Sequence, residues 1–441
     1  MKQLFHPPLK KYHLVAASAW AARAITAICQ FYVIRLISAQ HGSAAYALFA
    51  LLASWLPWLL LADAGIGQAL QNRLSAARVN NLPMLPLLAQ AMGMVALTGL
   101  IFVFLLAPLA YFLLPQFVHL PSETNQPLND WQLLLAISFM IGVGSAFVGL
   151  IQRYWYACQQ GYFVHIGTAL ASILGCVLVG FSHVDVASCF LLFYLPSIIL
   201  PLPFLLHAGF KGVVAMKKQP STLQNTHIWN DRNFWQQSLQ FCGLGIMTAM
   251  VLNIDMLLLS SHADRPENMA EYAVLVRVFS IPLIAFMSWL QALWPVLAEE
   301  FAKKNSTILR QHLRLSIIRL NVILPLFIII LAFTAPYITR LLLHSPNYQP
   351  SPYLWVMVLA YGGFMLLRLN ANIFATALQA MGQMKALLLI QPLQIVISVL
   401  LQWYLGKIWG GAGIALGLML SFLFTVSWYL PRKLKKILET L

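Results

Sequence analysis

Residues 316–343 read SIIRLNVILPLFIIILAFTAPYITRLLL, and no charged side chain lies between Arg319 and Arg340. About 20 apolar residues in helical conformation cross the hydrocarbon core of a bilayer, so this stretch predicts a transmembrane helix. The rest of the chain has the same character, because 60% of its 441 residues are hydrophobic and only 9% are charged. An average soluble domain has roughly 25% charged residues, so the composition indicates an integral membrane protein.

Similar apolar segments follow one another along the whole chain, and they predict twelve transmembrane helices. The predicted spans are residues 13–38, 45–68, 84–114, 131–151, 163–181, 187–207, 239–260, 272–298, 316–343, 353–378, 386–406 and 411–430. The fold class expected is an all-α integral membrane protein with two pseudo-symmetric six-helix lobes around a central cavity. The longest cytoplasmic connection predicts an N-lobe at residues 1–215, a linker at 216–238 and a C-lobe at 239–441.

The positive charges indicate the orientation of these spans. The formal net charge is +15, which would suggest a nucleic-acid partner in a soluble protein. With the N-terminus inside, however, 20 of the 27 lysines and arginines fall in predicted inner segments and only two in outer loops. The positive-inside rule therefore predicts a multi-pass protein with both termini in the cytoplasm, and the charge requires no nucleic acid.

The two halves of the chain resemble each other weakly but in the same order. Arg35 near the end of span one corresponds to Asp255 in span seven, and each is followed by a Tyr-Ala step at Tyr46 or Tyr272. Both halves contain an even number of spans, so the pattern predicts a parallel repeat, as in many transporters. Chance similarity among apolar helices is the alternative.

Arginines at membrane depth are the main candidates for function, because a charge there is costly unless it faces protein or water. A rise of about 1.5 Å per residue places Arg23 and Arg368 close to the bilayer midplane. Arg277 lies nearer the outer face and Arg319 near the inner face. At those depths a structural arginine that extends its charge to the membrane surface is as good an interpretation as a ligand-binding one. One guanidinium group can bind two phosphate oxygens at once, so these four residues predict a cationic, anion-binding cavity.

Other charged residues suggest gates or coupling sites. Asp255 and Arg35 occupy equivalent repeat positions, so they predict either an outer gate or a simple structural ion pair. Asp63 near the inner end of span two has three readings: an inner gate, a coupling-cation or proton site, or a helix-terminus hydrogen-bonding residue. Arg340 near the outer face belongs to the same gate or coupling group. The cysteines show no metal-ligand spacing, so neither a metal nor a cofactor is expected.

Several short motifs carry a resemblance to a known family. They are Asp63-Ala64-Gly65-Ile66-Gly67 followed by Asn72-Arg73, the step from Gly42 to Tyr46, Asn253-Ile254-Asp255, and Leu378-Gln379-Ala380-Met381-Gly382. With twelve spans and inner termini, the chain resembles the polysaccharide-transporter branch of the multidrug/oligosaccharidyl-lipid/polysaccharide exporter superfamily. Within that branch it is most similar to the Wzx-type O-antigen flippases.

The resemblance implies a function in lipopolysaccharide O-antigen biosynthesis. Members of the branch translocate undecaprenyl-pyrophosphate-linked oligosaccharides from the inner to the outer leaflet of the bacterial inner membrane by alternating access. It also implies contact with membrane lipids and coupling to a proton or sodium gradient. An O-antigen polymerase and a chain-length regulator are the candidate protein partners. Arg23, Arg277 and Arg368 would hold the pyrophosphate or acidic sugars, and Trp20, Tyr361 and Phe364 would lie near the sugars.

Two other functions compete with this interpretation. A cation-coupled multidrug antiporter of the same superfamily would favour acids over arginines in its cavity. A membrane enzyme of polysaccharide assembly would need a large outer loop or acids in the first outer loop, and residues 39–44 contain no acid. The arginines within the spans therefore favour a flippase, which is a transporter and not an enzyme.

Overall fold

The computed structural model describes residues 8–79, 82–117, 129–158, 160–181, 185–218, 228–261, 266–302, 306–343, 350–381 and 383–439. These residues form α-helices and a short 3-10 turn, Leu60–Asp63, with no strand among them. The helices are α1 (Pro8–Leu59), α2 (Ile66–Val79), α3 (Leu85–Phe117), α4 (Asn129–Ala157), α5 (Tyr162–Phe181), α6 (Val186–Tyr194), α7 (Pro196–Ile199), α8 (Leu202–Lys218), α9 (Arg232–Leu252), α10 (Asp255–Ser260), α11 (Pro266–Ala302), α12 (Ser306–Leu343), α13 (Leu354–Ala380), α14 (Met384–Trp409), α15 (Gly411–Phe424) and α16 (Val426–Glu439).

The number of helices that can cross a membrane agrees with the prediction. Ten segments in the described part of the chain are long and apolar enough to do so. The first of them, Ser18–Asp63, contains two of the predicted spans, and α11 covers a further one at residues 272–298. The ten segments correspond to eleven of the twelve predicted spans, and α11, which is not one of the ten, corresponds to the twelfth. The all-α, multi-pass membrane fold is thereby confirmed.

The first two spans are joined at a single glycine. We expected an outer loop at residues 39–44, but α1 is interrupted only at Gly42, where φ is 86° and ψ is 172°. A side chain with a Cβ is strained at this positive φ, so glycine is the residue that permits the kink. Helical hydrogen bonding resumes on both sides, which keeps backbone groups paired where little water is available.

Two other predicted spans are broken within their length. Residues 187–207 form three short helices, α6 to α8, and the breaks fall beside Pro196 and Pro201, which lack a backbone N–H. Residues 239–260 form α9 and α10, with a break at Asn253 and Ile254 that leaves Asp255 as the first residue of α10. Interrupted membrane helices of this kind often carry binding groups in transporters.

The predicted linker at residues 216–238 is helical at both described ends. Helix α8 continues to Lys218 and α9 already begins at Arg232, while residues 219–227 lie outside the described part of the chain. The first seven and last two residues of the chain also lie outside it. The division into two lobes at this linker stays a prediction.

The chain divides into two compact units. Unit 1 comprises Met1–Leu36, Leu52–Val118 and Asn125–Ala249, and unit 2 comprises Ile37–Leu51, His119–Thr124 and Met250–Leu441. The core of unit 1 is built from fully buried aliphatic residues, including Leu70 of α2, Leu88 of α3 and Leu205 of α8. Their burial holds α2, α3 and α8 of this unit together.

In unit 2, glycines allow α14 and α15 to pack with almost no space between their backbones. A Cβ on Gly413 would collide with the carbonyl oxygen of Leu405, and one on Gly417 would lie 2.6 Å from the backbone nitrogen of Gln402. Small residues at such positions are a common means of helix association in membranes. The two helices therefore form a tightly packed hairpin.

Candidate functional site

A buried carboxylate lies in unit 2 where a membrane helix is interrupted. The side chain of Asp255 is only 5% exposed. Its Oδ1 accepts a hydrogen bond of 2.8 Å from the N–H of Met256, and its Oδ2 accepts one of 2.7 Å from the hydroxyl of Tyr272 in α11. These bonds satisfy a polar group that would be costly to bury without partners.

Two of the predicted arginines share the surroundings of this carboxylate. Arg368 of α13 is half-buried and interacts electrostatically with Asp255 and with the phenol of Tyr361. Arg277 of α11, also half-buried, interacts with the same phenol. The structure therefore brings together three predicted site residues, Arg277, Arg368 and Asp255. With two cations and one acid, the group carries an excess of positive charge, as an anion-binding site requires.

The aromatic residues expected near sugars have different surroundings. Tyr361 and Phe364 are 4% and 1% exposed, and their ring centroids are 5.3 Å apart. Tyr361 also contacts Tyr272, with ring centroids 5.9 Å apart, and Phe364 contacts Phe422 at 5.2 Å. This burial argues against stacking on a sugar, because the rings already pack on one another. Trp20 of α1, in contrast, is 52% exposed.

Arg319 and Arg340 of α12 are exposed. The guanidinium of Arg319 lies 5.9 Å from the ring centroid of Trp289 in α11, a cation–π contact. Arg340 lies in the last turn of α12, where a cation interacts favourably with the helix dipole. Both placements are compatible with a structural role. Substrate binding by Arg319 and gating or coupling by Arg340 therefore stay predictions.

Unit 1 contains a cavity of about 700 Å³ bounded by α1, α4, α5 and the broken segment α6 to α8. Aromatic rings form part of its wall: the centroid of Trp155 is 5.8 Å from that of Phe163 and 5.8 Å from that of Phe204. Amides and hydroxyls interrupt the apolar surface, and these side chains are Thr26, Gln30, Gln152, Thr168, Ser172, Tyr194 and Ser197. Its volume is typical of a small-ligand site, and no carboxylate is among the described residues that line it.

Arg23 lies beside this cavity. It precedes the lining residues Thr26 and Gln30 by three and seven positions on α1, and residues at this spacing share one face of a helix. Its half-buried guanidinium interacts electrostatically with Tyr156, the neighbour of Trp155, and with His165 of α5. Arg23 is not itself among the lining residues, so the cation lies next to a neutral, aromatic and amide-lined pocket and not in its wall.

Asp63 has the geometry of a helix-terminus residue. Its Oδ1 accepts a hydrogen bond of 2.8 Å from the N–H of Gly65, and its Oδ2 accepts one of 3.2 Å from the N–H of Gly67, so it caps the start of α2. Gly65 has a φ of +75°, and a Cβ there would collide with the carbonyl oxygen of Ser238 in α9. Of the three readings of Asp63, this geometry favours the third; the gate and coupling roles stay predictions.

Arg153 of α4 was not among the predicted site residues. It donates a 3.1 Å hydrogen bond to Gln71 Oε1 and interacts electrostatically with Asp63 and with Tyr156. Tyr156 also interacts with Arg23, so its phenol interacts electrostatically with two cations. The signal in the sequence was the placement of an arginine within a run of amide and aromatic side chains, residues 152–156.

The remaining predicted site residue, Arg35, is an exposed residue of α1 in unit 1. Its pairing with Asp255 stays a prediction. Among the described residues, no group of three or more His, Cys, Asp or Glu side chains is arranged to hold a metal ion.

The chain is similar to known membrane proteins both in part and over nearly its whole length. Residues 243–404 match the family model MatE. Over 98% of its length the chain is 28% identical to 98% of a Salmonella typhi protein named "Putative O-antigen transporter". Over 95% of its length it is 27% identical to 94% of a Yersinia pseudotuberculosis protein named "Putative O-antigen export protein".

Solved structures show the same fold at low sequence identity. An inward-facing multidrug resistance MATE family transporter of the MOP superfamily has a TM-score of 0.67 at 14% identity, over 96% of this chain and 99% of that one. The lipid II flippase MurJ in an inward closed conformation has a TM-score of 0.64 at 15% identity, over 94% of this chain and 87% of that one. These likenesses confirm the fold.

The relatives and structural neighbours are transporters and flippases, not enzymes. They support a membrane transporter, and the similarity to O-antigen transporters extends over nearly the whole chain. The predicted resemblance to O-antigen transporters is therefore confirmed.

Proposed function

We propose that the protein translocates an undecaprenyl-pyrophosphate-linked oligosaccharide, an O-antigen repeat unit, from the inner to the outer leaflet of the bacterial inner membrane. The observation that carries the proposal is the position of Arg23 beside the amide- and aromatic-lined cavity of unit 1. A lipid-linked oligosaccharide has an anionic group next to uncharged sugars, and these two chemistries correspond to the two parts of the site. The transporter relatives support the same substrate class.

In this proposal Arg23 binds the pyrophosphate. A guanidinium presents a planar set of donors that matches phosphate oxygens, and its attraction is strong in a half-buried site. Arg153 reinforces the positive field around Tyr156. Arg277 and Arg368 provide a second cationic group in unit 2 around Tyr361, and Arg368 also interacts with Asp255.

The cavity residues bind the sugars. Trp155 offers an aromatic ring for the apolar face of a sugar ring, while Gln30 and Gln152 supply amide donors and acceptors for its hydroxyls. The hydroxyls of Thr26 and Ser172 lie 3.1 Å apart at the wall and can exchange their mutual hydrogen bond for bonds to a ligand. The polyprenyl tail remains in lipid, because it is too apolar to enter water.

Transport proceeds by alternating access with both termini in the cytoplasm, driven by a proton or sodium gradient. Asp255, Asp63, Arg35 and Arg340 are the proposed gate or coupling residues. Membrane lipids surround the protein, and an O-antigen polymerase and a chain-length regulator are its proposed partners. A drug antiporter for organic cations is the alternative, but the described lining of the unit 1 cavity supplies no acid to attract a cation.

A deletion strain tests the proposal. Loss of the gene should make single undecaprenyl-linked repeat units accumulate while surface polysaccharide disappears, and the wild-type gene should reverse both changes. The Arg23→Ala variant should fail to do so although it reaches the membrane, whereas Arg432→Ala, which removes an exposed arginine of α16, should succeed. Unchanged surface polysaccharide together with altered sensitivity to cationic drugs would instead indicate multidrug export.

A further inference from the structure

A second cavity, of about 360 Å³, lies in unit 2 between the start of α12, the end of α13 and the C-terminal helix α16. Three cations line it, Arg310, Arg314 and Lys435, against one acid, Glu439. The ion pair of Lys435 with Glu439 is loose, at 3.9 Å between Nζ and Oε1, and both side chains are well exposed. We refer to this cavity as the basic groove, and its charge excess favours an anion.

The other wall of the basic groove is apolar. It is formed by Leu313, Ile317, Ile318, Phe374, Pro431, Leu434 and Leu438. Along α12, Arg310 and Arg314 are followed at intervals of four residues by Ile318 and Val322, which are 48% and 64% exposed. Residues four apart are neighbours on a helix surface, so the two arginines and the two exposed apolar side chains form one continuous strip along α12.

Helix α16 has the character of a helix that lies at a membrane surface. Val426, Leu430, Leu434 and Leu438 are buried on one face. Its cations are Arg432, Lys433, Lys435 and Lys436, and Arg432 lies 5.7 Å from the ring centroid of Trp428, which is 57% exposed. A basic amphipathic helix with an exposed tryptophan is typical of the interface between lipid headgroups and acyl chains.

We propose that the basic groove binds the phosphodiester headgroup of an anionic glycerophospholipid. Arg310, Arg314 and Lys435 hold the phosphate, and one acyl chain lies along Ile318 and Val322. Glu439 at the rim accepts a hydrogen bond from a headgroup hydroxyl and repels a second negative charge. A singly charged, hydroxyl-bearing headgroup such as phosphatidylglycerol therefore fits best.

The shape of the groove favours a lipid over free phosphate. Inorganic phosphate would occupy the cationic part of the groove and leave the isoleucines and Phe374 uncovered. A diacyl lipid would contact the cations with its phosphate and the apolar side chains with an acyl chain. The same amphiphilic chemistry exists in a polyprenyl pyrophosphate, but its additional negative charge would face Glu439. This site does not rest on the proposed transport function, since none of its lining residues is a proposed transport residue or lines the unit 1 cavity.

Native mass spectrometry of the purified full-length protein in detergent tests the proposal. Dioleoylphosphatidylglycerol and dioleoylphosphatidylcholine are added at equal concentrations, so that only the headgroup differs. The variant is Arg314→Glu, since Arg310 also fastens α16 through a 3.2 Å hydrogen bond to the carbonyl oxygen of Leu438. Lys433→Glu is the matched control. It also reverses one positive charge, but Lys433 lies on α16 and does not line the groove. Arg314→Gln replaces the first variant if thermal unfolding shows that it does not fold.

We expect the wild-type protein to bind phosphatidylglycerol about fivefold more than phosphatidylcholine. Arg314→Glu should reduce that binding about tenfold, whereas Lys433→Glu should change it by less than about twofold. Equal binding of the two lipids, or an equal loss in both variants, would overturn the proposal. Displacement of the lipid by an equal concentration of inorganic phosphate, or preferential binding of undecaprenyl pyrophosphate, would overturn it as well.

Discussion

The hydroxyl of Tyr272 donates a 2.7 Å hydrogen bond to the carboxylate of Asp255, and both side chains are buried. The bond ties α11 to the first residue of α10, at the point where a membrane span is interrupted. Arg368 and Tyr361 lie in the same electrostatic environment, so the carboxylate is part of a network and not an isolated charge. Such networks are costly when only partly satisfied, which makes this position sensitive to substitution.

The first prediction concerns this hydrogen bond. Tyr272→Phe removes the donor from a buried carboxylate and should lower the free energy of unfolding by about 1–3 kcal/mol. Asp255→Asn combined with Tyr272→Phe should cost less than the sum of the single substitutions, because the two residues contact each other. The measurement is unfolding in detergent, with Tyr337→Phe, a 77% exposed tyrosine of α12, as the control. Strictly additive effects would show that the bond contributes nothing.

The second prediction separates the readings of Asp63. Asp63→Ala removes the acceptor of two backbone N–H groups and should destabilise the protein by about 0.5–2 kcal/mol. Asp63→Asn keeps one capping oxygen but replaces the other with an NH2 group, which cannot accept from a backbone N–H, and it cannot ionise. It should therefore lose less stability than Asp63→Ala and should retain export if Asp63 only caps α2. The assays are thermal unfolding and surface polysaccharide. A stable Asp63→Asn protein without export would show instead that the charge is needed for gating or coupling.

The third prediction concerns the α14–α15 hairpin. Gly413→Ala places a methyl group against the carbonyl oxygen of Leu405, a rigid backbone atom, so the helices must separate. A loss of about 1–3 kcal/mol is expected, in the range of other overpacking substitutions. Gly167→Ala in α5 is the control, because nothing lies within 4 Å of the added Cβ. Comparable thermal stability of the two variants would contradict the close packing.

The fourth prediction concerns the unit 1 cavity. Trp155→Ala removes the ring that the proposed function assigns to the sugars and should weaken oligosaccharide binding about tenfold. Trp428→Ala, which truncates an exposed tryptophan of α16, should leave that binding unchanged. Binding of a purified undecaprenyl-linked oligosaccharide to the protein in detergent is the measurement. An unaffected Trp155→Ala protein would place the sugars elsewhere.

The sequence predicted the membrane fold well because hydropathy acts over whole segments. The count of twelve spans required only that each helix be long and apolar, and the breaks at Gly42 and at Asn253 changed the boundaries and not the number. The loop expected at residues 39–44 was wrong. A single glycine at a positive φ can join two helices without a longer loop, and hydropathy does not detect this.

The site was only partly accessible to the same reasoning. Depth along the predicted spans singled out Arg23 and Arg368, and the structure places the first beside a cavity and the second near Asp255. Spacing within one helix cannot identify a partner on another helix, so Tyr272 and Arg153 were missed. The sequence also did not show which side chains are buried: Tyr361 and Phe364 were expected near the sugars, but they pack into an aromatic core.

The most direct test of the central claim is a flipping assay in proteoliposomes. A fluorescent undecaprenyl-pyrophosphate-linked oligosaccharide is placed in both leaflets, and a membrane-impermeant reductant quenches only the outer one. We predict that wild-type protein under an imposed proton or sodium gradient makes the inner pool accessible, that Arg23→Ala does not, and that Arg432→Ala does. An inner pool that stays protected in vesicles containing folded wild-type protein under either gradient would contradict the account.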